Sequence, residues 1–517
     1  MIFKFLLKYS KLILLAIFFL FFFYNCKHDK LNEPDDPVEL KMLLFSNAVP
    51  DAALIWEEVS KLAKKDISAT VSVEYIPWKK KTRTKISLIM ASRNDFDLIF
   101  TGAWTNFYDF AKKGYYYPLN KLLPEYAPLT WKNIPKIGWE QASYNGNIFA
   151  VPFNSFEIRS TGLMYRKDLA EKYKLKQGKI RNMEELEIYL EKAREDLNIY
   201  PMNIHGLNKL QDFIRSKITE NKYPLKQLKG RLYIYLDKPD VLVSLIESQG
   251  FKNWITTAKR WADKRFWSKE LLLHSASSRF DREAFIAGKS AVTFVNLLEA
   301  SSIFNNLKRE NPEHEFDWYN IYHNTKYYMR NSYIQNAVAV SKYSKNPEKA
   351  LMLLEKLHQD SQYFDLTTFG IRGKHWDLDA KGQLVLPPGV TSENNGYPWD
   401  TACPWGWREE KFYRMSPLKS KSIWEVTRKY YKDRALQQSY QIFNPYLDFL
   451  FDVTPVSHEW NKIQSLDDYF DLLIAGFVDD PQKAYEEYIE KMKLAGFDKF
   501  KNEMYRQWLN YLNKKGG

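Results

Sequence analysis

The 517-residue chain has only two cysteines, Cys26 and Cys403, and the first closes an N-terminal apolar run, leaving one thiol in the body. An intramolecular disulfide framework is therefore excluded, and a body this long can do without one because its cores suffice. Catalytic signatures are missing as well. There is no His-Glu-x-x-His metal motif, no Gly-x-Ser-x-Gly elbow and no cysteine/histidine cluster at metal-ligand spacing. The eight histidines are dispersed, and the 63 Asp and Glu residues nominate no opposed pair of the kind a glycosidase requires. Internal repeats and extended low-complexity tracts are absent too. On these absences we expect no catalytic residue, no metal and no cofactor.

What is present begins with MIFKFLLKYSK, carrying Lys4, Lys8 and Lys11, followed by the apolar run LILLAIFFLFFFY (12–24). This is the layout of a secretory signal. The run is shorter than the roughly 20 residues that cross a bilayer comfortably, so cleavage is expected over a permanent span. Cys26 stands where bacterial lipoproteins carry their lipidated cysteine, although Phe23 and Asn25 fill places where Leu and a small residue are usual. Residues 1–25 thus read as a signal peptide, Cys26 as the lipidation site, and 26–37 as a polar tether holding the body off the membrane on its outer side. An uncleaved helix is the alternative.

The chain carries a formal charge of +13, which raises the question of nucleic acid. Its lysines, however, are interleaved with glutamates, as in EKAREDLN and EEYIEKMK, the pattern of solvated helix faces. No nucleic-acid partner is expected. Aromatic residues make up 16% of the chain, and their rings suit both core filling and stacking on sugars.

From residue 38 short strands alternate with helices. LKMLLF (40–45), TVSVEYI (70–76) and FDLIF (96–100) read as strands, with DAALIWEEVSKLAKK (51–65) and WKKKTRTKISLIMAS (78–92) as helices between them. Leu54, Ile55, Val59, Leu62 and Ala63 mark the apolar side of the first helix. This alternation predicts a doubly wound α/β lobe, in which ligands bind beyond the carboxyl ends of the strands. The loops SNAVPD (46–51) and TGAWTN (101–106) hold those positions, and ordinary turn and N-cap chemistry would explain them equally well. Helical patterns over 182–198, 242–266 and 281–287, the last followed by a Gly-Lys turn and a strand, predict a second α/β lobe. The tail after 415 reads as mainly helical, with Gly496 separating two helices.

Several segments occur in the order typical of one family. They are VSVEYIPW (71–78), DFDLIFTGAW (95–104), KKGYYYPLNKLLPEYAP (112–128), NGNIFAVPF (145–153), GLMYRKDLAEKY (162–173), AFIAGKSAVTF (284–294) and AVAVSKYSKNPEKALMLLEKL (337–357). Together they resemble the bacterial extracellular solute-binding proteins of binding-protein-dependent transporters, the group that contains the maltose-binding proteins. The end of the chain is similar to an extension found in a lipoprotein branch of that family. The resemblance implies a two-lobed α/β fold of the periplasmic-binding-protein type II class with a helical C-terminal extension. Lobe 1 would span 38–152 with part of 337–366, lobe 2 would span 153–336, and the extension 367–517. Crossings are expected near 150–158 and 330–338, with a third within 370–410. It further implies a monomer that captures a small ligand, a sugar or oligosaccharide, by hinge closure and hands it to the permease subunits of an ABC importer.

On that reading the cleft would collect Asn47, Thr101, Trp104 and Asn106 from lobe 1, Asn154, Glu157 and Arg159 from the first crossing, and Asn296 from lobe 2. The segment YPWDTACPWGWREE (397–410) adds Trp399, Trp405 and Trp407, at least one of which should face Trp104 across the cleft. A structural alternative has these rings stapling the C-terminal helices onto the second lobe. Two other functions stay open: an exported polysaccharide-degrading enzyme, and a surface adhesin that keeps the fold without transport.

Overall fold

Strand β1 (Val38–Leu44) is buried at Leu40 and from Met42 to Leu44, where parallel strands covered on both faces demand apolar residues. Helix α1 (Ala52–Ile67) follows, and its buried stripe runs through Ala52, Ile55, Trp56, Val59, Ala63 and Ile67 at helical spacing. Leu54 and Leu62, expected on that stripe, lie at its edge, and Trp56 takes the central place. Strand β2 (Ala69–Tyr75) pairs parallel to β1, with Leu40 opposite Val71. After α2 (Thr82–Ala91), β3 (Leu98–Thr101) pairs with the other edge of β1. These coordinates are a computed structural model that describes residues 36–516 apart from 78–81, 93–94, 156–161, 205, 220–224, 273–277, 297–299, 301–306, 308–312, 323–327, 392–393, 400, 413 and 415–440.

The chain leaves the first sheet through β4 (Val151–Pro152) and enters the second lobe at β5 (Gly162–Arg166). There it forms α3 (Met183–Leu197), α4 (Leu210–Thr219), α5 (Gln249–Asp263), β6 (Val292–Val295) and β7 (Phe316–Asn320). Two caps fix helix starts in this lobe. Asn182 accepts from the Glu185 amide at 2.8 Å, and Ser248 accepts from the Phe251 amide at 3.1 Å. Residues 242–244, expected as helix, are a short strand instead, because LVS pairs antiparallel with Leu232–Tyr235. The chain returns as β8 (Ala337–Val340), then forms α6 (Pro347–Gln359) and α7 (Ser361–Phe369). The first sheet has the order β2-β1-β3-β8-β4, with β8 antiparallel to both neighbours, and β6-β5-β7 form an antiparallel sheet.

Two large hydrophobic cores result. The first gathers residues of 40–151, 334–384, Cys403 and Trp407. The second gathers residues of 163–321 and is completed by four C-terminal helices, α8 (Ser457–Gln464), α9 (Asp467–Ala475), α10 (Pro481–Leu494) and α11 (Phe497–Gly516). Trp254 and Trp267 donate their indole N–H groups to the carbonyls of Ile474 and Ala475 at 3.0 and 2.9 Å. Gly476 closes this contact with a φ of +72°, and a Cβ there would lie 2.2 Å from the Ala258 carbonyl oxygen. Gly496 separates α10 from α11, as its sequence context predicts.

Among the described residues no helix is long and apolar enough to cross a membrane. The N-terminal apolar run and Cys26 lie outside the described residues.

Candidate functional site

Where the chain crosses between the cores, three segments lie side by side. Strand β4 pairs with β8, the Phe153 amide donates to the Asn336 carbonyl at 3.0 Å, and Asn154 exchanges backbone hydrogen bonds with Arg408 and Glu410 at 2.8 and 3.0 Å. Residues 370–410, expected to hold a third crossing, stay on the first core, because the aromatic loop docks there. Cys403 and Trp407 are part of that core, and Trp56 meets Trp407 edge-on at 6.2 Å. Among the described residues the third passage lies later, where Leu447 and Leu450 pack on the first core and Phe449 and Phe451 on the second.

Two of the tryptophans expected at a ligand site come together here. Trp104 and Trp405 both pack against Phe100, with ring centroids 5.8 and 6.0 Å away, and both stay partly exposed. They therefore share one wall, built by the first lobe, where the sequence led us to expect opposite walls. Trp104 is aimed by the second crossing, since its Nε1 donates to Asn336 Oδ1 at 3.3 Å. Its loop is pressed onto the same crossing at Gly102, where a Cβ would sit 2.3 Å from the Gln335 carbonyl oxygen.

A largely buried polar chain also joins the crossing. Asn154 Nδ2 donates to Glu409 Oε2 at 3.1 Å, and Glu409 Oε1 pairs with His358 Nδ1 at 3.1 Å. His358 is fully buried, and its Nε2 has no hydrogen-bond partner among the described residues. The Asn154 side chain thus serves this network as it stands, locking the first crossing to the segment that follows the aromatic loop.

Two expected contact residues are corrected. Trp407 is fully buried and donates to Thr367 Oγ1 at 2.9 Å, so its ring is core. Thr101 is 1% exposed, with its hydroxyl 2.9 Å from the Tyr116 hydroxyl. Both follow from burial of the strand end and of the loop that seals the sheet. Trp399 packs on the first core, its buried Nε1 without a partner among the described residues. Asn47 is exposed beside Ser46, whose hydroxyl donates to the Thr401 carbonyl at 2.8 Å. Asn106 holds a left-handed backbone, φ +66°, at the start of the helix Phe107–Lys112, without a side-chain cap bond. Asn296 follows β6 in the second lobe and is half-buried. Glu157 and Arg159 lie outside the described residues.

The loop after β1 is stitched to the aromatic segment rather than left open. The Asp51 amide donates to the Gly396 carbonyl at 3.0 Å, and its carboxylate takes Lys374 at 2.7 Å and His375 at 2.8 Å. Lys374 first and His375 second hold the Asp51 carboxyl below the usual range. Neither these pairings nor Asn336, Glu409, His358 and Phe100 were singled out from sequence. Only the place of Asn336, directly before an apolar strand returning to the sheet, could have flagged one of them. Among the described residues no group of three or more His, Cys, Asp or Glu could hold a metal.

Comparison with known proteins supplies the context. The model of the bacterial extracellular solute-binding protein family matches residues 52–357, and a domain of unknown function matches 445–513. A carbohydrate ABC transporter substrate-binding protein of Streptococcus pneumoniae is 22% identical over 488 residues, covering 93% of this chain and 92% of the relative. The crystal structure of an N-glycan transport solute-binding protein from the same species superposes with a TM-score of 0.72 at 19% identity, covering 92% of this chain and 100% of the other. The alginate-binding protein, crystallised without calcium, gives a TM-score of 0.61 at 18% identity, covering 92% of this chain and 98% of the other.

Proposed function

We propose that this chain, which belongs to the bacterial extracellular solute-binding protein family, captures an oligosaccharide between its two lobes for delivery to an ABC importer and performs no chemistry on it. The observation that carries this reading is the wall of Trp104 and Trp405 on Phe100, set at the crossings. Flat indole faces suit the apolar faces of sugar rings, and amide and backbone groups nearby can meet hydroxyls. The carbohydrate relative supports the same ligand class. Hinge closure would bring second-lobe residues, Asn296 among them, against a ligand already resting on this wall. Closure then becomes populated to the extent that ligand contacts both lobes.

Membership of an extracellular family makes this an exported protein. We further propose a lipid on Cys26, a monomeric body, and permease subunits as its partners. Replacing Cys26 with Ser should abolish incorporation of labelled fatty acid, and unchanged labelling would remove the anchor from the proposal.

Binding is tested with a panel of mannose- and N-acetylglucosamine-containing oligosaccharides and alginate oligomers, by thermal shift and calorimetry. A true ligand at 100 times its Kd should stabilise the body by about 2.7 kcal/mol. Trp104→Ala and Trp405→Ala should each weaken that ligand about 30-fold, roughly 2 kcal/mol. The ligand should be recovered unaltered after long incubation. Turnover abolished by one carboxylate substitution would make the protein an enzyme instead.

A further inference from the structure

The passage between the cores at 444–452 has an arrangement that simple linkage does not require. Its sequence, NPYLDFLFD, sends side chains to two different bodies. Tyr446, Phe449 and Phe451 are held by the C-terminal helix α11. Tyr446 and Phe449 lie 5.2 and 4.9 Å from the Trp508 ring, and Phe451 lies 5.5 Å from Phe500. The Asp452 amide donates to Gln507 Oε1 at 2.9 Å, and Gln507 Nε2 returns a bond to the Asp452 carbonyl at 2.8 Å. Asp448 accepts from the Tyr511 hydroxyl at 2.6 Å and from Lys515 at 2.9 Å. Leu447 and Leu450, between these anchors, pack instead on the first core.

The start of this passage is tied to the second crossing. Gln441 and Ile442 pair with Tyr328 and Met329, the Phe443 ring stacks on Tyr333 at 6.0 Å, and the Arg330 guanidinium lies 4.9 Å from the Phe443 ring centroid. On the first lobe, the Tyr108 phenol is raised by burial and then by the charge of Asp448, which places the carboxylate within electrostatic reach of that lobe. The two faces are unequal. Three ring contacts and two amide hydrogen bonds, with the Asp448–Tyr511–Lys515 cluster, hold the C-terminal side, whereas Leu447 and Leu450 pack on the first lobe.

We propose that residues 444–452 form a two-sided wedge by which the C-terminal domain of otherwise unassigned role takes part in lobe closure, staying with the second lobe and engaging or releasing the first through Leu447 and Leu450. The unequal anchoring sets which side gives, since the apolar contact on the first lobe is the smaller one. A lobe rotation about the crossings must then slide or break that contact, so its strength biases the balance between open and closed forms. This proposal rests on the hinge reading but not on the ligand class.

The test needs no ligand, so it can fail while carbohydrate capture stands. Spin labels are placed at Lys65→Cys on the first lobe and Thr256→Cys on the second, in the body from residue 26 onward carrying Cys26→Ser. Cys403 is buried and stays unlabelled. Leu447→Ser with Leu450→Ser should shift or broaden the interlobe distance distribution, while the near-ultraviolet signature of the Trp508 cluster persists. An unchanged distribution in the folded variant overturns the wedge. Should the double variant fail to fold, Leu450→Ala is read the same way, and an unchanged distribution there is equally fatal.

Discussion

The two lobes finish their cores by different means. The first closes its mixed sheet with an irregular loop, in which Trp407 plugs against Trp56 and Cys403 lies fully buried. The second has short antiparallel strands and a layer of large rings, with Phe213 stacked on Trp254 at 5.2 Å and Trp254 meeting Trp261 edge-on. It borrows helices from the far end of the chain to cover them. Both cores draw on distant chain, the first on residues 334–407 and the second on the helices after 456, so both carry a loop-closure demand, and they differ in whether an aromatic loop or a helical layer covers them.

If this contrast is right, damage should stay within one lobe. Trp407→Ala removes a fully buried ring and should cost about 3–5 kcal/mol. Hydrogen exchange should then rise in β1, β2 and α7 and stay unchanged in α5. Spread of the increase into the second lobe would break the comparison.

Gly476→Ala should act on the other side alone. It meets the Ala258 carbonyl and forces a side chain onto positive φ, and the expected loss is about 2–4 kcal/mol. Chemical denaturation monitored by tryptophan fluorescence should show the second-lobe transition moving to lower denaturant.

Asp471 sharpens the same point through pH. It lies on α9, and burial first raises its carboxyl from 3.8 to about 6, against a lowering influence from Arg231. Folding therefore favours the protonated form. The stability this group contributes is complete below its unfolded pKa, near 4, and is lost as pH rises through about 6. Asp471→Asn should raise the second-lobe stability at pH 7, by less than about 2 kcal/mol because solvent screens this half-buried group, and leave it nearly unchanged at pH 4. An equal gain at both pH values would show that charge burial is not the cause.

The smallest effect on stability is expected at Trp405→Ala. This ring is partly exposed, two residues from Trp407, and its removal should cost about 1 kcal/mol or less. A loss as large as that of Trp407→Ala would make Trp405 a core residue and weaken the proposed binding wall.

Much of the first lobe was legible because its strands are short apolar or alternating runs and its helices carry a stripe, as in β2, β3 and α1. The family order of segments led to expected crossings near 150–158 and 330–338. The aromatic loop was harder to read. Trp399, Trp405 and Trp407 share composition and punctuation, and only the packing of Gly406 and Trp407 against β8 and Trp56 decides which ring faces inward. Asn154 looked like a ligand contact because it alternates with apolar neighbours, yet its nearest partner is Glu409, 255 positions away. Contacts over such separations leave no local trace. The interlobe passage was missed for the same reason, since NPYLDFLFD has no simple period of two or of three and a half.

The lateral bonding of the crossings has a mechanical meaning. Because the Phe153 amide reaches Asn336 and the Asn154 backbone reaches Arg408 and Glu410, the connection behaves as a ribbon rather than as independent threads. A ribbon flexes across its flat face and stiffens against torsion and in-plane shear. In the closure proposed above, the swing of one body about the other would thereby be reduced to nearly one degree of freedom. Each cycle brings the same atoms to the same place, and the orientational entropy of assembling the two halves is largely removed before a guest arrives.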